Sequence, residues 1–260
     1  MNHHFRSDGA VSGPVSFKEL LHIMKKTNVY ELPLAANVCE QLLREIDRTP
    51  LWSMAHVLMN PRAWSLLHEH HLMDEIYLIT RGTGHLIRGE EILIVQPGDA
   101  VHIRPYERHK LVNTSLTRLE HLVLAAPPFD PNDVHLDLAW KDPIVTPVPF
   151  VQPPVTDCFD GARIVAYEFP GIASVAFGSV LSDPERRKLP HYHKAATEWI
   201  FVIEGEGTLE VDGVPHLIGG GDWIRVDPGE AHAFRNEHAE HLVVTCICTP
   251  CFSMADVYYR

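Results

Sequence analysis

From Met54 onward, apolar and polar residues alternate with a period of two, in short runs rich in Val, Ile, Leu and aromatic side chains. Turn chemistry separates the runs at Asn60-Pro61, Gly82-Thr83-Gly84, Gly89-Glu90, Pro97-Gly98-Asp99 and Pro105-Tyr106. It returns at Asp183-Pro184, Gly205-Glu206-Gly207, Asp212-Gly213 and Gly219-Gly220-Gly221-Asp222. A period of two places alternate side chains on one face of a strand, and Asp-Gly between such runs signals a hairpin. Many short strands at this spacing predict an antiparallel sandwich or barrel. Two upstream stretches break the alternation. Residues 16–26 put Phe17, Leu20, Leu21 and Met24 on one helical face behind a Ser16 cap. Residues 35–48 carry Cys39, Leu42, Leu43 and Ile46 at i, i+3, i+4 and i+7. Each stretch predicts a short amphipathic helix.

The alternating region is written twice. His68, His70, Glu75, Gly82, His109 and Asn113 recur as His191, His193, Glu198, Gly205, His232 and Asn236, each pair 123 residues apart. Matched chemistry held in register over such a span is an internal duplication, so the chain divides into two similar halves. Tyr30-Glu31-Leu32-Pro33 resembles Tyr167-Glu168-Phe169-Pro170 at an offset of 137, which implies a 14-residue insertion in the first half. That insertion coincides with the second predicted helix, which would pack on the first domain or cover the mouth of its site. Residues 127–156 hold eight of the 20 prolines. Proline removes ladder donors and stiffens the chain, so this stretch reads as an extended linker, its apolar residues lying along the domains. The expected division is a flexible tail at 1–15, an N-terminal domain at 16–126, the linker at 127–156 and a C-terminal domain at 157–260.

Charge narrows the partners. The 260 residues carry 22 Lys and Arg against 34 Asp and Glu, a net charge of −12. Nucleic acids and anionic membranes are bound by clustered positive charge, which this balance does not supply. No apolar run approaches the roughly 18 residues of a membrane span, and residues 1–15 lack the apolar centre of a signal peptide. A cytoplasmic protein with a small-molecule partner is expected. The five cysteines are scattered and odd in number. Because Thr249-Pro250-Cys251-Phe252 falls where the first half has Ala126-Pro127-Pro128-Phe129, the thiols read as buried and reduced rather than as a metal cluster. The His3-His4 pair reads as part of the tail.

The repeated polar residues carry the chemistry. Residues two apart on a strand share a face, so His68 and His70 project together; Glu75 reaches them from the next strand and His109 from a later one. Three imidazoles and one carboxylate form a site for a divalent transition metal. The second set is His191, His193, Glu198 and His232. Iron(II), manganese, nickel, copper, cobalt and zinc all suit such donors. Strand parity lines the first pocket with Trp64, Leu66, Tyr77, Ile79 and Leu111, and the second with Arg187, Leu189, Ile200, Val202 and Phe234. Tyr77 is a candidate proton donor or substrate partner. His56, placed opposite Ser179 of the second half, is a candidate acid or base.

The order His-x-His, Glu, Gly, then Pro, His and Asn resembles the cupin family, and its presence twice resembles a bicupin. The second half matches well; the first has Tyr106 where the second has Gly229. The resemblance implies an all-β chain of two tandem jelly-roll barrels, here with short N-terminal helices, and pairing into a homodimer. It also implies a metal-dependent enzyme. The expected reaction is an oxygen-dependent, dioxygenase-type oxidation of a small anionic metabolite at mononuclear iron(II). The alternatives are redox-neutral isomerisation, decarboxylation or elimination, and a non-catalytic small-ligand- or sugar-binding bicupin.

Overall fold

The computed structural model describes residues 24–37, 41–158, 162–182 and 189–260. The 1–15 tail with His3-His4, most of the predicted 16–26 helix, Cys39 and Arg187 lie outside the described residues.

Each half folds as two facing sheets. In the first, Leu42–Arg48, Ser53–Met59, Leu119–Ala126, Asp74–Arg81 and Ala100–Ile103 form one sheet in that order. Opposite lie His135–Leu136, His68–Glu69, His109–Val112, Gly84–Arg88, Glu91–Val95 and Val148–Pro149. The second half repeats the pattern with Thr197–Glu204 and Leu242–Thr249 at the centre of one sheet and His232–Arg235 at the centre of the other. Neighbours far apart in sequence pair antiparallel, as Leu119–Ala126 does with both Ser53–Met59 and Asp74–Arg81. This is the crossed connectivity of a jelly roll. The all-β expectation of two barrels holds.

Period-two strands with a buried inner face give each barrel its own apolar interior. Ile79, Leu86, Val101 and Leu111 fill the first, and Ile200, Val202, Leu209 and Ile224 the second. A third core lies between the barrels, where Trp52, Met54, Ile76 and Leu124 meet Tyr167, Trp199, Phe201 and Trp223. Sheets apolar on both faces explain why the strands 74–81 and 197–204 read as nearly continuous apolar runs.

Each barrel is completed by chain from before the other. Lys25–Asn28, inside the stretch expected for the first domain, pairs with Asp222–Val226 of the second barrel. The proline-rich linker lies on the first barrel, where Val148–Pro149 runs parallel to Glu91–Val95. The Asp of the Gly-Asp turn fastens each crossing: Gln152 Nε2 donates to Asp99 at 2.6 Å, and Asn28 Nδ2 donates to Asp222 at 3.1 Å.

The predicted 35–48 helix is not built. Residues 42–48 form a strand against Ser53–Met59, with a register shift between Glu45 and Asp47, and Lys25–Asn28 is extended. The 35–48 pattern looked helical because its apolar residues serve two cores: Leu43 packs into the barrel and Ile46 into the seam. The 137-residue match is corrected too. Asp47, not Tyr30, stands opposite Met54 as Tyr167 stands opposite Val175, so no helix is inserted. Upstream of the ligands the register is 121, because Ser53 and Ser174 occupy one place, each hydroxyl accepting the amide of Phe129 or Phe252.

Candidate metal centres

The repeated residues converge. One ligand atom from each of His68, His70, Glu75 and His109 lies within 4.8 Å of the others, and the same holds for His191, His193, Glu198 and His232. All eight side chains are buried. His68 sits opposite His109 on adjacent strands, as His191 does opposite His232. The motif glycines make this possible. Gly82 and Gly205 have φ of 75° and 85°, and a Cβ would stand 2.5 Å from the Arg118 carbonyl or 2.4 Å from that of His241. No other residue closes that strand end without moving the chain.

Backbone carbonyls set the tautomer of the rings. Nδ1 of His68 lies 2.9 Å from the Leu66 carbonyl, that of His70 2.9 Å from Asp133, and that of His109 3.0 Å from Glu107. A ring that donates from Nδ1 presents the Nε2 lone pair to the centre, the arrangement that orients metal-ligating histidines. In the first cage Nε2 of His70 and His109 approach Glu75 Oε2 at 3.4 and 3.0 Å. Yet none of these three atoms makes an aligned hydrogen bond among the described residues. Buried donor atoms left facing one another fit a divalent transition ion of mixed nitrogen and oxygen ligation. In the second cage His232 Nε2 meets Glu198 at 3.0 Å.

The electrostatics agree. Burial lowers the His68 pKa to about 3, with the neighbouring His109 adding to the effect. Burial and then His232 do the same to His191. Burial opposes the charge of Glu75, but contacts from His109 and His70 overcome it and hold the carboxyl well below its ordinary range. Burial opposes protonation of His70, but its contacts with Glu75 outweigh it and raise that pKa; a neutral His68 ring and an ionised Glu75 carboxylate are forms that bind metal.

The motif asparagines are structural. Asn113 Nδ2 donates to the carbonyls of Met59, Asn60 and Thr117, closing the loop after the third ligand strand. Tyr106, the departure from the motif, keeps the turn. It adopts φ 67° where Gly229 adopts 88°; its amide donates to His70 at 2.6 Å as that of Gly229 does to His193 at 2.7 Å.

A cavity of about 140 Å³ opens beside the first cage, and one of about 160 Å³ beside the second. Tyr77 and Leu111 line the first and Phe234 the second, as parity predicted. Ile79, Ile200 and Val202 belong to the packed barrel interiors instead, while Trp64 and Leu189 are exposed. Residues of the stretch expected as a covering helix, Ala35, Asn37, Gln41 and Glu45, do line the first mouth, but with Ala35 bridged antiparallel to Leu43 rather than helical. Cys246 and Cys248 line the second cavity, and burial pushes the Cys248 thiol up.

His56 is not at the site. Inward residues of its strand are Ser53, Ala55, Val57 and Met59; His56 faces the seam, its Nε2 3.2 Å from Glu120 and its ring near Phe201. The register of 121 places it opposite Phe177 rather than Ser179. His121, unremarked in the sequence, does line the first cavity beside Tyr77, with ring centroids 5.0 Å apart.

The cupin domain profile matches residues 55–124 and again 179–248. The chain belongs to the cupin family. As a bicupin it is 31% identical over 84 residues to the uncharacterized protein MJ1618 of Methanocaldococcus jannaschii, covering 32% of this chain and 67% of that protein. In structure it is similar to the Lactobacillus farciminis oxalate decarboxylase formate complex (TM-score 0.66, 14% identity, 90% of this chain and 88% of that one). It also resembles Bacillus subtilis oxalate decarboxylase in a study of that enzyme's Mn(II) centres (TM-score 0.64, 15% identity, 90% of this chain and 78% of that one). Among the described residues no helix is long and apolar enough to cross a membrane.

Proposed function

We propose that this bicupin is a metal-dependent enzyme performing redox-neutral chemistry, decarboxylation or isomerisation, on a small carboxylate. The observation that carries the reading is the placement of the cages in cavity walls: His68 and Glu75 border the first cavity, and His191, His193 and Glu198 the second. Ligand atoms at a cavity surface serve chemistry, whereas a purely structural ion is closed off. A bound divalent ion would supply Lewis acidity and a template for an oxygen-bearing substrate. The histidines and Glu75 would hold it, the carbonyls behind the rings would fix their aim, and the apolar walls would exclude water around the reacting carbon. Tyr77 lies against His109 at 5.8 Å between ring centroids and would orient the substrate.

Manganese(II) is the favoured ion and iron(II) the alternative. This choice leans on the likeness to oxalate decarboxylases, which at 14–15% identity reflects the shared fold. The oxygen-dependent reading expected from the family pattern becomes the rival. Metal-loaded protein offered a panel of small carboxylates under argon decides between them. Product formed equally with and without air supports redox-neutral chemistry; turnover only in air, with oxygen consumed, supports the rival.

A further inference from the structure

The two cavities are built differently, and the difference names a class of ligand for the first. Neither is lined by Lys or Arg among the described residues. Most polar side chains around the first are already engaged. Asn37 bonds Ala35 and Gln41, the hydroxyls of Ser53 and Ser65 accept backbone amides, and Glu45 pairs with Arg48 at 3.0 Å. His121 is different. It is 3% exposed and lines the cavity, and its Nδ1 has no hydrogen-bond partner among the described residues. An unpaired buried polar group is costly unless something meets it.

Its position is far from the cage. Along the shared ladder Ala125 stands opposite Glu75, Val123 opposite Tyr77 and His121 opposite Ile79. The imidazole is thus four residues, about 13 Å of strand, from the Glu75 rung. The Tyr77 ring lies between, 5.8 Å from His109 and 5.0 Å from His121. Val57, Met59, Leu111 and Val123 make the walls apolar. In the second barrel the ladder puts Val244 in the corresponding place, opposite Val202.

Charge completes the argument. A divalent ion beside Glu75 leaves about one positive charge, which one carboxylate balances. A second carboxylate would lie in an apolar wall with no cation to meet it, since burial and the neighbouring His56 lower the His121 pKa to about 3.

We propose that the first cavity takes a small monocarboxylate with an apolar body and a neutral hydroxyl or carbonyl at its far end, received by His121, and that it turns dicarboxylates away. The inference rests on the metal-dependent reading above. His121 positions the tail of the substrate, and the second cavity, with valine in its place, lacks that preference.

The test uses full-length protein carrying His232→Ala, so that only the first cage is intact, loaded with manganese(II). Metal content is measured on the same samples. Calorimetric titrations compare three ligands of one length: 2-oxohexanoate, 6-hydroxy-2-oxohexanoate and 2-oxohexanedioate. The dicarboxylate should bind at least about tenfold more weakly than either monocarboxylate. The hydroxylated acid should bind about tenfold more tightly than its methyl-ended counterpart. That advantage should vanish in His121→Leu and survive in His121→Gln, with metal content unchanged in both. Equal or tighter binding of the dicarboxylate, or a hydroxyl advantage that persists in His121→Leu, overturns the inference while leaving the metal reading intact. Failure of the folded protein to take up either manganese(II) or iron(II) overturns both.

Discussion

The Tyr30 hydroxyl donates to Glu120 Oε2 at 2.8 Å, joining the segment laid on the second barrel to the outer face of the first. His56 meets the same oxygen at 3.2 Å. Burial by itself would raise the Glu120 pKa, but the hydrogen bonds from His56 and Tyr30 outweigh it and hold the carboxyl below its ordinary 4.5. A carboxyl depressed in the folded state adds stability that is present above its unfolded pKa and is lost as pH falls through its folded one. Thermal melts from neutral pH down to about 3 should therefore fall more steeply for the native protein than for Glu120→Gln. Parallel curves would show that the carboxylate does not fasten the seam.

At the centre of that seam, the rings of Trp52 and Trp199 meet edge to face at 4.7 Å, and Trp199 Nε1 donates to Asp47 at 2.9 Å. Trp199→Ala should cost about 3–5 kcal/mol. Because the third core belongs to both barrels, urea unfolding should stay a single transition with a lower midpoint. Two separated transitions, only one of them moved, would mean the barrels unfold independently.

Gly82 offers a local test of how the cage is closed. Its positive φ and the 2.5 Å approach of a Cβ to the Arg118 carbonyl make Gly82→Ala destabilising by about 2 kcal/mol or more. Gly205→Ala should behave alike, against His241. A melting temperature unchanged in both variants would show that the turn relaxes freely.

Much of this architecture was legible because duplication repeats what both halves need. The ligands, the glycines and the asparagines stood in register, and period-two runs gave the strands. The misreadings arise where one residue pattern serves two surroundings. Leu43 and Ile46 imitate a helical stripe because a bulged strand lies between the barrel interior and the seam. His56 was set against Ser179 because the register between the halves changes from 121 on its strand to 123 at the ligand strand. His121 escaped notice for the opposite reason: a search for shared residues passes over a side chain that only one half carries. Its inward parity with Val123 and Ala125 was readable. The exchange of segments was not, since local pattern does not say which barrel a strand such as Lys25–Asn28 will join.

Metal content measured by elemental analysis tests the central claim most directly. Purified protein should carry two divalent transition ions per chain, one for each cage, and His109→Ala and His232→Ala should each retain one. Folded native protein that takes up no such ion, or single-ligand variants that still hold two, would contradict the account.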